Sequence, residues 1–452
     1  MPTVVLGRDD FVGVVRNAVA GLGFAPDIAM VSFPISMFLA ESDISPLKAG
    51  LDRFVDGLTT WTPQSAARTA RLPMIAVEAD EPLQLSDRFN RLFLNRKWGD
   101  GLPLVPPTRE RVQWILQGTD VPPDTLIGKF LPRGGIVSME TAAVSLAMAG
   151  GRPEYLPVLV AALEAVFDPV IFHETWQATS CSTFPAIIVG GPIAQQIRLN
   201  SGFGLMGPDP NHPAGASIGR ALRLLQQNVG GALPGIGSMA VFGGMRYTNA
   251  VFAEDEAGLP TDWKPFNEEY LGFERGANTV AVAVVSGASN ILRRGKGKET
   301  LERETLDGLY RISSYMRAIN ANSYTAHPEG TPGVLLITRP VANQMSALGW
   351  SKDRIRQFLW DNTKIPLREM EQAGALQWAR GYGQEASLNQ DPWPITAKPG
   401  NLAIVVAGGT HTTHAYWMQT AFVPRVAKAR IVLPSRWNEL LRQASEDVGG
   451  DA

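Results

Sequence analysis

The N-terminal sequence predicts a β-α-β unit, and this pattern restricts the fold more than any other feature of the chain. Residues 2–6 (PTVVL) are largely apolar on both faces, as buried strands of parallel sheets are. Apolar residues at helical spacing follow over residues 11–22, and a second apolar strand pattern covers residues 28–31. Such a strand needs a neighbour on each side, and parallel neighbours arrive through a crossover helix. We therefore expect the missing part of this unit on another polypeptide.

Strand and helix patterns alternate again towards the C-terminus and predict an α/β fold. Helices are expected over residues 46–58, 84–95, 138–149, 156–167, 217–228 and 301–319, and strands over residues 74–77, 186–189, 279–285, 334–337, 402–407 and 427–433. The stretch 119–275 is the least regular. The 45 glycines and 33 prolines of the chain favour tight turns and a site built from loops.

The predicted fold class is α/β, with a parallel-sheet β-α-β half-domain at the N-terminus and a larger α/β domain whose central region is irregular. A chain of 452 residues exceeds the usual size of one domain. The boundaries that we expect are 1–62 for the half-domain, 63–97 for a linker and helix, 98–275 for a Gly- and Pro-rich substrate-binding region, 276–437 for the α/β region that completes the large domain, and 438–452 for a tail.

Composition argues against several classes of partner. The formal charge of −2 gives no electrostatic reason to expect nucleic acid or an anionic membrane. No run approaches the ~20 apolar residues of a membrane span, and no secretory signal is visible. The single cysteine, Cys181, excludes an internal disulfide framework and a cysteine-rich metal site. We expect a cytoplasmic protein that acts on a small molecule.

The strongest chemical signal is the segment 408–414, which follows a predicted strand. Gly408 and Gly409 allow backbone amides to approach an anion, and Thr410, His411 and His414 bring groups that donate or relay protons. Open α/β sheets bind ligands at the carboxyl ends of their strands. We predict a substrate-binding loop with His411 or His414 as an acid or base. Alternatively, the histidines only cap the next helix. A metal site is disfavoured because His-x-x-His is a partial ligand set.

Cys181 is a second catalytic candidate. It lies among hydroxyl residues, in the sequence Thr-Ser-Cys-Ser-Thr, and His173 precedes it by eight positions. A nucleophilic thiolate needs a base or a cation beside it, and the sequence does not show such a contact. The alternative is a buried structural cysteine, which is the commoner fate of a lone cysteine.

Four further residues are candidates for substrate binding. Arg220, Arg223 and Asn228 lie on one predicted helix and could clamp a carboxylate or phosphate, because arginine offers a planar fork. Asp100 lies in the Pro- and Gly-rich segment 98–108, which lines a cleft or simply connects domains. A solvated helix face is the alternative for the arginines. The acidic residues 254–256 are interpreted as a surface loop.

Two long stretches together resemble the UGSC family, selenoproteins or cysteine proteins named for a Sec/Cys-Gly-Ser-Cys motif. The first stretch carries PTVV at 2–5, Phe11, Ala18, Gly23, Phe33-Pro34 and Leu58-Thr59, and resembles the latter half of the small UGSC domain. The second carries WGDGLPLVPPT at 98–108, MAG at 148–150, PEYLPV at 153–158, GPI at 191–193, IGRALRL at 218–224, NVGGALPG at 228–235 and VVAGG at 405–409, and resembles the attached large domain.

The Cys-Gly-Ser-Cys tetrad itself is absent, and Gly151 stands where a cysteine is expected after residues 148–150. The resemblance implies the large subunit of a heteromeric enzyme, with a thiol or selenol on a small partner subunit that carries the missing half-domain. Reductive or eliminative carbon–heteroatom chemistry would fit. A branch that has lost thiol chemistry, a self-contained lyase or hydrolase with a histidine base, and a non-catalytic scaffold subunit are the alternatives. The sequence identifies no cofactor, and a higher oligomer is compatible with it.

Overall fold

The structure is a computed structural model that describes residues 3–21, 27–39, 41–62, 75–243, 250–292, 300–317, 333–376, 390–421 and 425–448. The strands are β1 (Val5–Arg8), β2 (Met30–Phe33), β3 (Leu126–Phe130), β4 (Gly135–Ser138), β5 (Phe184–Gly190), β6 (Ala250–Ala253), β7 (Thr279–Leu292), β8 (Gly333–Ile337), β9 (Leu402–Val406), β10 (His414–Thr420) and β11 (Ala427–Arg430). The helices are α1 (Val12–Gly21), α2 (Ser45–Ala49), α3 (Leu51–Thr59), α4 (Pro82–Arg96), α5 (Arg109–Ile115), α6 (Met139–Met148), α7 (Leu156–Phe167), α8 (His173–Ala178), α9 (Ile193–Gln196), α10 (Pro213–Asn228), α11 (Phe266–Glu269), α12 (Leu301–Met316), α13 (Arg339–Ala347), α14 (Lys352–Asn362), α15 (Leu367–Gln372) and α16 (Trp437–Val448).

The N-terminal β-α-β prediction is confirmed. Strands β1 and β2 pair in parallel, with Val5 opposite Met30, and α1 connects them. The strand begins at Val5 rather than at residue 2, and none of its four residues is buried; Leu6 is 48% exposed. The helix expected over 46–58 is two helices, α2 and α3, which meet at Gly50.

The larger domain is built on one mixed sheet, in the order β6-β5-β7-β10-β8-β9, and β11 pairs with the first residues of β7 beside the end of β10. Strands β5 and β6 are parallel, as are β8 and β9, and the other pairings are antiparallel. The regions expected at 98–275 and 276–437 therefore contribute strands to the same sheet. This agrees with the predicted α/β class.

The sheet consists of two halves with the same topology. In each half two parallel strands are followed by a third that runs antiparallel beside the first, so β5-β6-β7 corresponds to β8-β9-β10. The registers agree as well: Val189 lies opposite Ala253 and Val280, and Ile337 lies opposite Val406 and Ala415. The sequences after the first strands match too, since Pro192, Ala194 and Gln196 recur as Pro340, Ala342 and Gln344. The sequence analysis did not recognise this repeat.

The sheet curls so that its two edge strands meet at their carboxyl ends. The amide of Asp255, just after β6, donates to the carbonyl of Val406 at 2.8 Å. One face of the sheet packs against itself in a core that draws on all six main strands; it includes Ala186, Phe252, Ala283, Leu336, Val405 and Met418. The other face is covered by α6, α7 and α10 over the first half and by α12, α13 and α14 over the second.

Local sequence rules explain the best-predicted helices. Residues of α7 are apolar almost all round, as expected for a helix buried on every side, and α7 is buried between other helices and the sheet. Ser138 caps α6, accepting from the amide of Thr141 while Thr141 Oγ1 accepts from the Ser138 amide. Thr108 caps α5 with one such bond, accepting from the amide of Arg111.

Some elements differ from the prediction. No strand forms over the described residues 75–77, and residue 74 lies outside the described residues. Strand β7 extends to Leu292, well beyond the expected end at residue 285. The hairpin of β3 and β4, and strands β6 and β10, were not predicted.

No single helix in the described part of the chain is both long and apolar enough to cross a membrane, although the bent pair Pro153–Phe167 and Pro169–Ala178 has the required length and composition.

Candidate functional site

The segment 408–414 connects β9 to β10 and is held in place by backbone contacts. Gly408 and Gly409 have φ angles of +100° and +87°, which glycine adopts without strain. The Gly408 amide donates to the carbonyl of Ser201 at 2.9 Å, and Thr338 Oγ1 donates to the carbonyl of His411 at 2.6 Å. The alternative that the histidines cap a helix is wrong, because a strand begins at His414.

A cavity of about 250 Å³ opens beside this segment, and we call it the histidine cavity. Its wall includes Leu205, Asn290, Thr338, Gly408, His414 and Tyr416. The sheet explains why these residues meet. Strands β8 and β9 are parallel and end together, and β10 starts antiparallel to β8, with Tyr416 opposite both Leu336 and Asn290. The predicted location at the carboxyl ends of strands is therefore where the cavity lies.

His411 and His414 are in direct contact. Their Nδ1 atoms are 3.2 Å apart, and Thr413 Oγ1 lies 3.0 Å from Nδ1 of His411 and 3.1 Å from Nδ1 of His414. The two imidazoles and the Thr413 hydroxyl therefore form one group in mutual contact. His414 is half-buried in the cavity wall, whereas His411 is exposed. Nδ1 of each ring is engaged in this pair, and His414 is the member of the pair that lines the cavity.

A glycine-rich loop, residues 200–209, forms the opposite wall. The side chain of Asn200 folds it, since Oδ1 accepts from the Gly202 amide at 2.7 Å and Nδ2 donates to the Phe203 carbonyl at 2.8 Å. Phe203 is 64% exposed and lies against Gly409, where an added Cβ would be 3.0 Å from its ring. Thr410, in contrast, is exposed and does not line the cavity.

Asp100, Arg220 and Asn228 lie together, away from the histidine cavity. Arg220 makes a two-pronged ion pair with Asp100, at 2.8 and 2.9 Å, and also donates to the carbonyl of Pro103. Burial alone would raise the pKa of Asp100, but the hydrogen bonds and charge of Arg220 lower it overall. Asn228 Nδ2 donates to the carbonyl of Trp98. These side chains fasten the segment 98–108 to α10.

A second cavity, of about 100 Å³, is lined by both Arg223 and Cys181. The sequence analysis considered these two residues as separate candidates. We call this second cavity the cysteine cavity; its wall includes Trp176, Gln177, Cys181, Phe184, Arg223 and Gln226. Burial lowers the pKa of Arg223, and the charge of Asp100 offsets part of this effect. The fold therefore places an arginine in the same cavity wall as Cys181, in addition to the hydroxyl residues that are its neighbours in the sequence.

The acidic residues 254–256 do not form a surface loop. Glu254 is buried and accepts from the amides of Phe266 and Val406 at 2.6 and 3.3 Å. Asp255 pairs with Arg339 from the other half, and Glu256 accepts from the Gly191 amide at 2.6 Å. Burial raises the pKa of Glu254, although Lys352 opposes the shift. Glu254 and Asp255 thus join the two halves of the sheet, and Glu256 closes the strand ends of the first half.

Sequence reasoning missed the cavity residues Asn290, Thr338 and Tyr416, and also Asn200, which folds the loop of the opposite wall. One of them follows from the internal repeat: Thr338 comes directly after β8, at the position that Gly190 holds at the end of β5, and such strand ends are where ligands bind. Asn290 and Tyr416 come from long-range strand pairing, which leaves no local signal.

Within the described ranges, no cluster of three or more His, Cys, Asp or Glu side chains could hold a metal ion. Comparison of the chain with protein-family models, with curated proteins and with solved structures finds no match.

Proposed function

We propose that this chain is an enzyme that transforms a small organic molecule in the histidine cavity, with His414 as the group that accepts and returns a proton. The observation that carries the proposal is the placement of the histidine pair: His414 lies in the wall of a cavity of about 250 Å³, and its Nδ1 contacts an exposed second imidazole. General acid–base catalysis requires such a group within reach of a bound substrate.

The pair provides a path for the proton. His414 Nε2 takes a proton from the substrate or from an attacking water, and the Nδ1 proton passes to His411 or Thr413 and from there to solvent. The wall is largely apolar, with Leu205, Leu336 and Ala407, and Asn290 and Thr338 add polar groups that orient a ligand. This arrangement favours a lyase or a hydrolase that acts on a small molecule with an apolar portion.

The test uses p-nitrophenyl acetate and butyrate as hydrolase probes and 3-hydroxy acids as elimination probes. We expect turnover of one probe class, and His414→Gln should lower it by roughly 100-fold or more while binding is retained, as when a general base is removed. His411→Gln should have a smaller effect because His411 acts through His414. His212→Gln is the matched control, since Gln can keep the contact with Asp209 and His212 does not line the cavity.

Turnover and melting temperature are measured on the same preparations. Near-wild-type turnover in the His414→Gln variant would contradict the assignment. A loss of stability with unchanged turnover per folded molecule would make the histidine pair structural, and a chain that serves only as a scaffold would tolerate both replacements.

A second candidate is the heteromeric enzyme, in which a small partner subunit supplies a thiol or selenol for reductive or eliminative cleavage of a carbon–heteroatom bond. The exposed apolar side chains of the N-terminal unit favour it: Leu6, Ile35, Phe38, Leu39, Leu51 and Leu58 are each between 45% and 62% exposed. A two-stranded sheet is also marginal by itself. Restoration of turnover by a partner with a Cys-Gly-Ser-Cys motif, and not by its Cys→Ser variants, would separate this candidate from the first.

A further inference from the structure

The cysteine cavity has a charged group at its wall that the other described residues do not neutralise fully. Arg223 lines the cavity, and its guanidinium donates to no acceptor among the described residues. Its electrostatic partner is Asp100, but both oxygens of that carboxylate are already taken by Arg220. Arg223 is also the single charged residue of the described cavity wall. Among the described residues, the cavity therefore has one positive charge that no carboxylate of its own compensates.

Two further polar atoms at the cavity wall have no partner. Trp176 and Gln177 are 4% and 3% exposed, and both line the cavity. In the described part of the chain, Trp176 Nε1 has no acceptor and Gln177 Oε1 has no donor. Gln177 Nε2 donates to the carbonyl of Leu131, which fixes the amide with its oxygen unpaired. Buried polar atoms without partners are rare in native proteins, and each one needs an explanation.

We propose that the cysteine cavity binds a small organic monoanion, a carboxylate with a hydroxyl group on the adjacent carbon. The carboxylate would accept from the Arg223 guanidinium and from Trp176 Nε1–H, and the hydroxyl would donate to Gln177 Oε1. One ligand of this kind satisfies all three groups at once.

Size and charge favour this class over other anions. A cavity of about 100 Å³ holds roughly three water molecules at ~30 Å³ each, which is room for an acid of two or three carbons. A planar guanidinium matches the two oxygens of a carboxylate. A phosphate dianion would bring two charges to a site with one cation, and it offers no separate hydroxyl donor for Gln177.

This site is independent of the proposed function, because the histidine cavity and the cysteine cavity share no lining residue. Its ligand would be an effector or a second reactant rather than the molecule held beside His414. Cys181 contributes to the wall, and no covalent step on its thiol is part of the proposal.

The experiment titrates the full chain with glycolate, propionate, inorganic phosphate and chloride, and follows the Trp indole N–H signals by ¹H–¹⁵N NMR. Glycolate should bind saturably in the millimolar range and shift one indole signal, which is missing in the Trp176→Phe variant. Trp176→Phe should weaken binding roughly tenfold or more, as for loss of a hydrogen bond to a charged group. Propionate, which lacks the hydroxyl, should bind roughly tenfold more weakly than glycolate.

Arg223→Met should abolish saturable binding, and Arg223→Lys should retain part of it, because lysine keeps the charge and loses the fork. Arg303→Met removes an exposed arginine and serves as the control with unchanged binding. Absence of saturable glycolate binding to the wild-type chain, or equal binding in Arg223→Met, would overturn the proposal. Tighter binding of phosphate than of glycolate would overturn the assignment to a carboxylate. Trp176→Phe, which keeps an aromatic ring and removes the indole N–H, gives the answer if Arg223→Met does not fold.

Discussion

Lys352→Met tests how the two halves of the main sheet are joined where β6 and β9 meet. Lys352 is 4% exposed, and its Nζ lies 3.6 Å from Glu254 Oε1 and donates to the carbonyl of Lys264 at 2.9 Å. Glu269, 3.9 Å away, has a second cation in Arg356 and does not depend on Lys352. Glu254 has Lys352 as its one salt-bridge partner within the described residues. The substitution therefore leaves Glu254 buried without a countercharge.

Removal of one member of a buried ion pair typically costs about 3–5 kcal/mol, because the remaining charge has no compensation. We expect a loss of stability in this range for Lys352→Met. The double variant Glu254→Gln/Lys352→Met removes both charges, and Gln can still accept a backbone hydrogen bond. It should therefore cost less than the sum of the two single variants, by roughly 2 kcal/mol, as contacting residues do in double-mutant cycles.

The loss of stability in Lys352→Met should also depend on pH, and its direction follows from the pKa of Glu254. Burial holds the pKa of Glu254 above its ordinary value of 4.5 in the folded chain, and loss of Lys352 removes an effect that lowers it. The folded state then binds a proton more tightly than the unfolded state. The stability lost in Lys352→Met should be regained as the pH falls through this raised pKa towards 4.5.

The assay is urea unfolding followed by tryptophan fluorescence at a series of pH values. Arg303→Met, which removes an exposed ion pair with Asp307, is the control and should change stability by less than ~1 kcal/mol. A Lys352→Met variant within ~1 kcal/mol of wild type at neutral pH, or a penalty that grows on acidification, would refute the reasoning.

Two further predictions concern Cys181 and the N-terminal unit. Cys181→Ser should leave turnover in the histidine cavity nearly unchanged, because Cys181 lines a different cavity; a loss of ~100-fold without unfolding would make the thiol a participant. The chain expressed alone should be poorly soluble and rescued by a small partner, and Leu6→Lys with Leu39→Lys should improve solubility and abolish that rescue, since these side chains are 48% and 62% exposed. A lone wild-type chain that is monodisperse and protease-resistant over residues 1–60 would contradict the second prediction.

The elements that the sequence predicted well are those whose signal is local. The β-α-β unit follows from apolar spacing over about 30 residues, and α7 from a continuous apolar run with Pro157 in its first turn. The signal of the segment 408–414 is also local, because its glycine, threonine and histidine residues directly follow an apolar strand.

Strand β10 and the composition of both cavities could not be predicted in this way. The sequence of β10, HAYWMQT, shows no clean alternation of polar and apolar residues, because the strand lies between β7 and β8 inside the sheet. In the sequence, Arg220 and Arg223 of α10 look equivalent. In the structure, Arg220 forms an ion pair with Asp100, whereas Arg223 lines the cysteine cavity. Tertiary contacts decide between them.

The internal repeat explains why the histidine cavity forms in the second half of the sheet and not at the same place in the first half. The registers place Glu254 of the first half where the second half has Ala407, and Thr279 where it has His414. In the first half the strand ends are filled: Glu256 accepts from the Gly191 amide, and Asn278 Oδ1 accepts from the Ile193 amide.

At the positions of Glu254, Asp255 and Glu256, the second half has Ala407, Gly408 and Gly409. These residues are too small to fill the space. At the position of Asn278, whose side-chain amide helps to close the first half, the second half has Thr413. The Thr413 hydroxyl contacts the two imidazoles. Two copies of one architecture have thus become different: acidic and amide side chains close the first copy and tie it to the second, through Asp255 and Arg339. The second copy keeps its strand ends open, and His414 occupies the position that its counterpart gives to the buried Thr279.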